Sequence, residues 1–165
     1  MALSQTSGPT VPRTPLLLGY LGLLPFFFGA LAVWALPGTL ERARILDIYT
    51  AQLYYGAVIL SFMGGVRWGL ATATENWGML AASVLPALIA WFALWPFGLG
   101  GIELSAVLRL SLLIVAFLGL LYYDVKAARS GAAPSWYALL RLRLTFYVVI
   151  FLAATLMRLA SWGYY

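Results

Sequence analysis

The stretch ILSFMGGVRWGLA, residues 59–71, decides how this chain is read. Up to Val66 it is the end of a long apolar run, and it then places a guanidinium, Arg67, behind two glycines and directly before Trp68. In a soluble domain such an arginine would mark a return to water. The composition excludes that setting. Of 165 residues, 64% are hydrophobic and 9% are charged, whereas a soluble domain carries about a quarter of its residues charged. The solvent is a bilayer, where a buried arginine is costly and needs a partner.

Working outward, the run at 46–71 is one of five apolar segments, the others lying at 15–36, 78–97, 103–123 and 137–161. Each is close to the ~20 residues that cross a hydrocarbon core. Between them lie PGTLERAR, TATENW, FGLGGIE and DVKAARSGAAPSW, which hold most of the charge and the turn formers. The sequence therefore predicts an all-α integral membrane bundle of five transmembrane helices over residues 15–165. A Pro-, Ser-, Thr- and Gly-rich tail at 1–14 precedes it and is expected to be disordered. Ala30-Leu31-Ala32 resembles a signal-peptide cleavage site, but the apolar run around it is longer than a signal core and reads as the first span. Lys and Arg near the short loops set the orientation: Arg13, Lys126, Arg129, Arg141 and Arg143 share one side of a five-span plan. That side is expected to be cytoplasmic, with the N-terminus there and the C-terminus outside. Trp68, Trp77, Trp95, Trp136 and Trp162 fall near span ends, as in an interfacial aromatic belt.

The chain has no histidine and no cysteine, and no lysine lies within an apolar segment. The usual donors for haem, copper and zinc, the usual neutral-pH proton shuttle and any thiol nucleophile are missing. No enzyme activity, cofactor or metal is expected, and no residue stands out as catalytic. The formal charge of +5 sits at the ends of apolar runs, which points to membrane lipids and not to nucleic acid.

Read at intervals of four, the second helix gives Ala57, Ser61, Gly65, Gly69 and Ala73, a small-residue ridge expected to pack against another helix. Arg67 lies roughly 200° from Gly65, on a face with Gln52, Gly56, Met63 and Gly64. Three roles are open to it. It can pair with a buried acid, best Asp124 at the end of the fourth span; it can snorkel to the interface; or it can contact an anionic ligand together with Trp68, Gln52 and Tyr55. Asp47, Arg109 and Arg158 form a possible outer polar cluster, and Lys126, Arg141 and Arg143 a possible site for anionic lipid headgroups. Pro25, Pro86 and Pro96 read as packing kinks. Ser61 and Ser83, without a base, are expected to bond to a carbonyl one turn back.

LGYLGLLPF at 18–26, ILSFMGGVRWG at 59–69, Asp124 after the fourth span and PSWYALLRLRLT at 134–145 together resemble the DUF3429 family, which includes the eukaryotic transmembrane protein 69. The resemblance runs over roughly residues 15–160. It implies a small multi-pass protein of bacterial inner membranes, with organelle relatives and no established activity. Two functional readings follow. One is an accessory or assembly subunit of a larger membrane complex, using the small-residue ridge. The other is a carrier or binding protein for a small hydrophobic or anionic molecule, which requires a cavity.

Overall fold

The computed structural model describes residues 10–35, 42–72, 77–95 and 104–163, and the described chain is all helical apart from turns. The helices are α1 (Arg13–Leu21), α2 (Leu24–Ala35), α3 (Arg42–Thr72), α4 (Trp77–Ala93), α5 (Ala106–Arg129) and α6 (Ser135–Ser161). Four segments are long and apolar enough to span a membrane: Arg13–Ala35, Ala43–Thr72, Ala106–Arg129 and Ser135–Ser161. The remaining expected span, α4, has 17 residues, a rise of about 26 Å against a hydrocarbon core of about 30 Å. Five expected spans thus become four of full length and one shorter apolar helix. Arg13 and Thr14, assigned from sequence to the tail, are already helical.

The first span is two helices because the chain turns at Gly22–Leu23. Pro25 is the second residue of α2, where its missing N–H leaves no hydrogen bond unmade. The break frees the Gly22 carbonyl, and Tyr55 Oη of α3 donates to it at 2.9 Å. Pro86, by contrast, lies inside α4 and is buried.

Two antiparallel pairs, α3 with α4 and α5 with α6, make the most extensive contacts, and α2 packs on both α3 and α6. The α5–α6 hairpin is tight for an identifiable reason. Gly131 takes φ of 77°, and the Ala132 and Gly131 N–H groups bond back to the Ala127 and Ala128 carbonyls at 3.0 and 3.3 Å. This is a Schellman closure with glycine in the left-handed position. The common core gathers Phe26, Leu60, Leu110, Leu113, Phe117 and Leu152, all at most 1% exposed. Phe62, Val58, Val115 and Met157 stand on the outside, as expected where the solvent is lipid.

The α3–α4 crossing corrects the expected ridge. One buried stripe of α3 runs Leu53, Ala57, Leu60, Gly64, Arg67 and Ala71, alternating steps of four and three as a 3.6-residue helix requires. Steps of four alone drift about 40° each. Ala57 is therefore buried, Ser61 half-buried, and Gly65 and Gly69 face outward with nothing within 4 Å of a Cβ placed on them. Ala73 lies outside the described residues. The close approach is at Gly64, where a Cβ would stand 2.8 Å from the Ser83 carbonyl oxygen of α4.

Candidate binding site

One and a half turns from the α5–α6 hairpin, three helices bring charges together. Asp124 of α5 is fully buried and accepts from two guanidinium groups: Arg67 Nη1 of α3 at 3.2 Å on Oδ1, and Arg141 Nε of α6 at 2.7 Å on Oδ2. Arg67 is 7% exposed and Arg141 5%, and the Arg67 guanidinium also lies over the Tyr123 ring, 5.2 Å from its centroid. Two cations on one carboxylate leave a buried formal charge of +1. Among the described residues no second carboxylate joins them.

Arg141 departs from the expectation of a lipid-facing cation beside Lys126 and Arg143. In LRLRL, residues 140–144, the two arginines are two positions apart and so roughly 200° apart on a helix. They cannot share a face: Arg143 is exposed and Arg141 turns inward. Tyr137, Arg141 and Thr145 then follow at intervals of four down the same side of α6.

Those three residues share a second property. Tyr137 Oη, Arg141 Nη2 and Thr145 Oγ1 are buried and have no hydrogen-bond partner, and all three residues line one cavity of about 360 Å³. The rest of its wall is apolar, with Leu18 and Gly19 of α1, Phe26 of α2, Ile59, Phe62 and Met63 of α3, Phe117 of α5 and Leu144 of α6. Leu18 and Phe62 are largely exposed, so the cavity has a lipid-facing rim. At the Arg67 end of the Arg67–Asp124–Arg141 cluster, Arg67, Tyr123, Lys126 and Ser130 line a smaller space of about 330 Å³ beside α4.

Sequence comparison supplies the family. A family model described as "Protein of unknown function (DUF3429)" matches residues 11–157. The chain belongs to the DUF3429 family. It is 35% identical over 151 residues to transmembrane protein 69 of Xenopus tropicalis, covering 88% of this chain and 54% of that protein. It is 31% identical over 88 residues to transmembrane protein 69 of Mus musculus, covering 50% of this chain and 34% of that one. This DUF3429 chain thus spans about half or less of the length of the curated relatives it matches. No solved structure matches it.

The other nominated residues of this DUF3429 protein lie elsewhere. Trp68 is 48% exposed and takes no part in the Arg67–Asp124–Arg141 ion pairs. Gln52, about 22 Å along α3 from Arg67, joins three helices: its Nε2 donates to the Phe26 carbonyl at 2.8 Å, and its Oε1 accepts from Thr155 Oγ1 at 2.7 Å. Gly29 makes room for it, since a Cβ there would stand 2.8 Å from the Gln52 amide carbon.

The outer cluster does not assemble around Asp47, which is exposed. Arg109 instead donates through Nε, Nη1 and Nη2 to the carbonyls of Leu104, Ala93 and Trp95 at 2.9, 3.0 and 2.7 Å. It thereby satisfies the carbonyls that the end of α4 leaves open. Arg158 donates to the Val33 carbonyl at 3.1 Å and stacks on Trp34 and Trp162. Ser61 and Ser83 donate to the carbonyls of Ala57 and Leu80. Pro96 lies outside the described residues.

Proposed function

We propose that this protein acts by binding, holding a small amphiphilic molecule in the cavity between α1, α3 and α6. The observation that carries the reading is the coincidence of an apolar cavity with three residues on its wall, Tyr137, Arg141 and Thr145, each of which holds a buried polar atom without a partner. Buried polar groups are nearly always hydrogen-bonded, and each one left unmade costs about 1–3 kcal/mol. Within a bilayer no bulk water relieves that cost. A ligand with an apolar body and one polar end satisfies both features of the cavity, and a few convergent polar groups in an apolar lining are the usual anatomy of such sites. Carriage between membrane locations, as opposed to storage, is the stronger form of this reading; the lipid-facing rim at Leu18 and Phe62 supports it.

Native mass spectrometry of the protein released from membranes in mild detergent tests this. The expected result is a retained small molecule that is absent from Leu144→Trp, which fills the cavity from its wall. A wild-type protein carrying nothing, under conditions that keep other lipids bound, overturns the reading.

A second reading, an accessory subunit of a larger membrane complex, is favoured by the outward Gly65 and Gly69, whose open faces allow a neighbouring helix to approach closely. It predicts a larger assembly that Gly65→Leu dissolves without unfolding the protein. For either role we assign the α5–α6 hairpin end to the cytoplasmic face of a bacterial inner membrane, on its lysine and arginine bias. Lys126 and Arg143, both exposed there, are assigned to anionic lipid headgroups.

A further inference from the structure

Resting on the binding reading above, we infer that the ligand is a single-chain amphiphile with a monoanionic head, seated with that head at Arg141. Three observations select this chemistry. The first is charge: Arg67 and Arg141 share one carboxylate, so the buried cluster carries a surplus positive charge, and Arg141, one of its two cations, lines the cavity. One negative charge from a ligand brings the cluster to neutrality, whereas a cationic head adds to the surplus and a neutral head leaves it.

The second is hydrogen-bonding capacity. Arg141 uses Nε on Asp124 while its Nη2 has no partner. A guanidinium nitrogen can only donate, and hydroxyls can donate to an oxyanion. Arg141, Tyr137 and Thr145 therefore offer three donors and suit an acceptor-only head such as a carboxylate. The rings and methyl groups around them continue the cavity without another charge.

The third is size. About 360 Å³ is near the lower end of the roughly 300–1,000 Å³ found for small-molecule pockets, which accommodates one acyl chain more readily than two. Entry follows from α1, which has no buried residue and packs chiefly on α6. Its Gly19 lies so close to the flexible end of Leu144 that a Cβ would stand 2.6 Å from Leu144 Cδ1.

The test uses tryptophan quenching, because Trp136 lines the cavity. The full chain in zwitterionic nanodiscs is titrated with 2-bromoundecanoate, whose bromine sits beside the head and so near Trp136, the corresponding 2-brominated alcohol and the corresponding 2-brominated trimethylammonium, at a pH where the acid is ionised. Each is corrected for partition into empty discs, with Trp136→Phe as the reference. The expected order is acid, then alcohol, then ammonium, with the acid at least about tenfold tighter than the alcohol. Arg141→Gln is expected to remove the preference for the acid while keeping the alcohol. Thr145→Val, which preserves the Arg67–Asp124–Arg141 ion pairs, is expected to weaken the acid several-fold and serves if the arginine variant does not fold. Equal binding of acid and alcohol by the wild type overturns the charged-head inference and leaves the cavity reading standing. Absence of Trp136-dependent quenching by all three overturns both.

Discussion

Replacing Asp124 with Asn should be the most damaging single change in the charged cluster, and replacing Arg67 with Met a much milder one. The asymmetry comes from counting charges. Wild type holds two guanidinium groups and one carboxylate, all at most 7% exposed. Asp124→Asn leaves two buried cations facing each other with neither compensated. At an effective dielectric of about 20, two unit charges roughly 4 Å apart interact by about 4 kcal/mol, and breaking a buried pair by removing one partner costs on the order of 3–5 kcal/mol. Arg67→Met removes one charge-assisted hydrogen bond, on the order of 1.5–3 kcal/mol, but Asp124 keeps Arg141 at 2.7 Å and the cluster becomes neutral. The triple variant Arg67→Met, Asp124→Leu, Arg141→Met should recover much of the loss, because no buried charge remains. Reversible unfolding in mixed micelles of increasing SDS content, followed by intrinsic tryptophan fluorescence, gives the three differences. A cost for Asp124→Asn below about 1 kcal/mol, or one equal to that of Arg67→Met, would refute the account of a cluster with surplus positive charge.

Three further outcomes follow from the packing. Gly64→Ala should destabilise by about 1–3 kcal/mol, since its Cβ meets the Ser83 backbone oxygen at 2.8 Å, whereas Gly65→Ala, facing open space, should stay within about 0.5 kcal/mol of wild type; the same micelle titration compares them. Gln52→Leu should cost on the order of 1–2 kcal/mol, because it removes the donor to the Phe26 carbonyl and the 2.7 Å acceptor of Thr155 Oγ1, which falls back on the Phe151 carbonyl at 3.2 Å; thermal unfolding in detergent reads it. Arg109→Met should release the Ala93 and Trp95 carbonyls and raise amide hydrogen exchange at the end of α4 before it affects α6.

What was legible in the sequence was governed by length and periodicity. The apolar runs gave helices in the expected order because twenty or so apolar residues in lipid have few other ways to satisfy their backbone. The exception, α4, fell short because the turn to Trp95 comes earlier than its hydropathy suggested. Asp124 was a visible candidate partner for Arg67 because both lie at the same end of a five-span plan. The small-residue ridge misled for a geometric reason: a strict interval of four leaves the contact face within three steps, and Gly64, not Gly65, sits on the crossing.

Arg141 was misread because loop counting treats every cation near a helix end alike. The alternation in LRLRL already held the correction, since one of two arginines at that spacing must face inward or sideways. The cavity had no sequence signal of its own, being defined by the space α1, α3 and α6 leave between them. The interval of four from Tyr137 to Thr145 was the nearest hint, and an unpartnered hydroxyl is not distinguishable from a partnered one until its neighbours are placed. Arg109 and Arg158 likewise went to carbonyls and aromatic rings in place of Asp47, a choice that depends on where α2 and α4 end.

The most direct test of the central claim is an experimental density map of the full protein in nanodiscs formed from its source membrane, at a resolution that shows bound lipids. The account predicts an elongated density in the cavity, with its polar end within hydrogen-bond distance of Arg141 Nη2 and Thr145 Oγ1 and its tail running along Leu144 and Val148. A cavity closed by its own side chains, or Arg141 Nη2 bonded to another protein group, would contradict it.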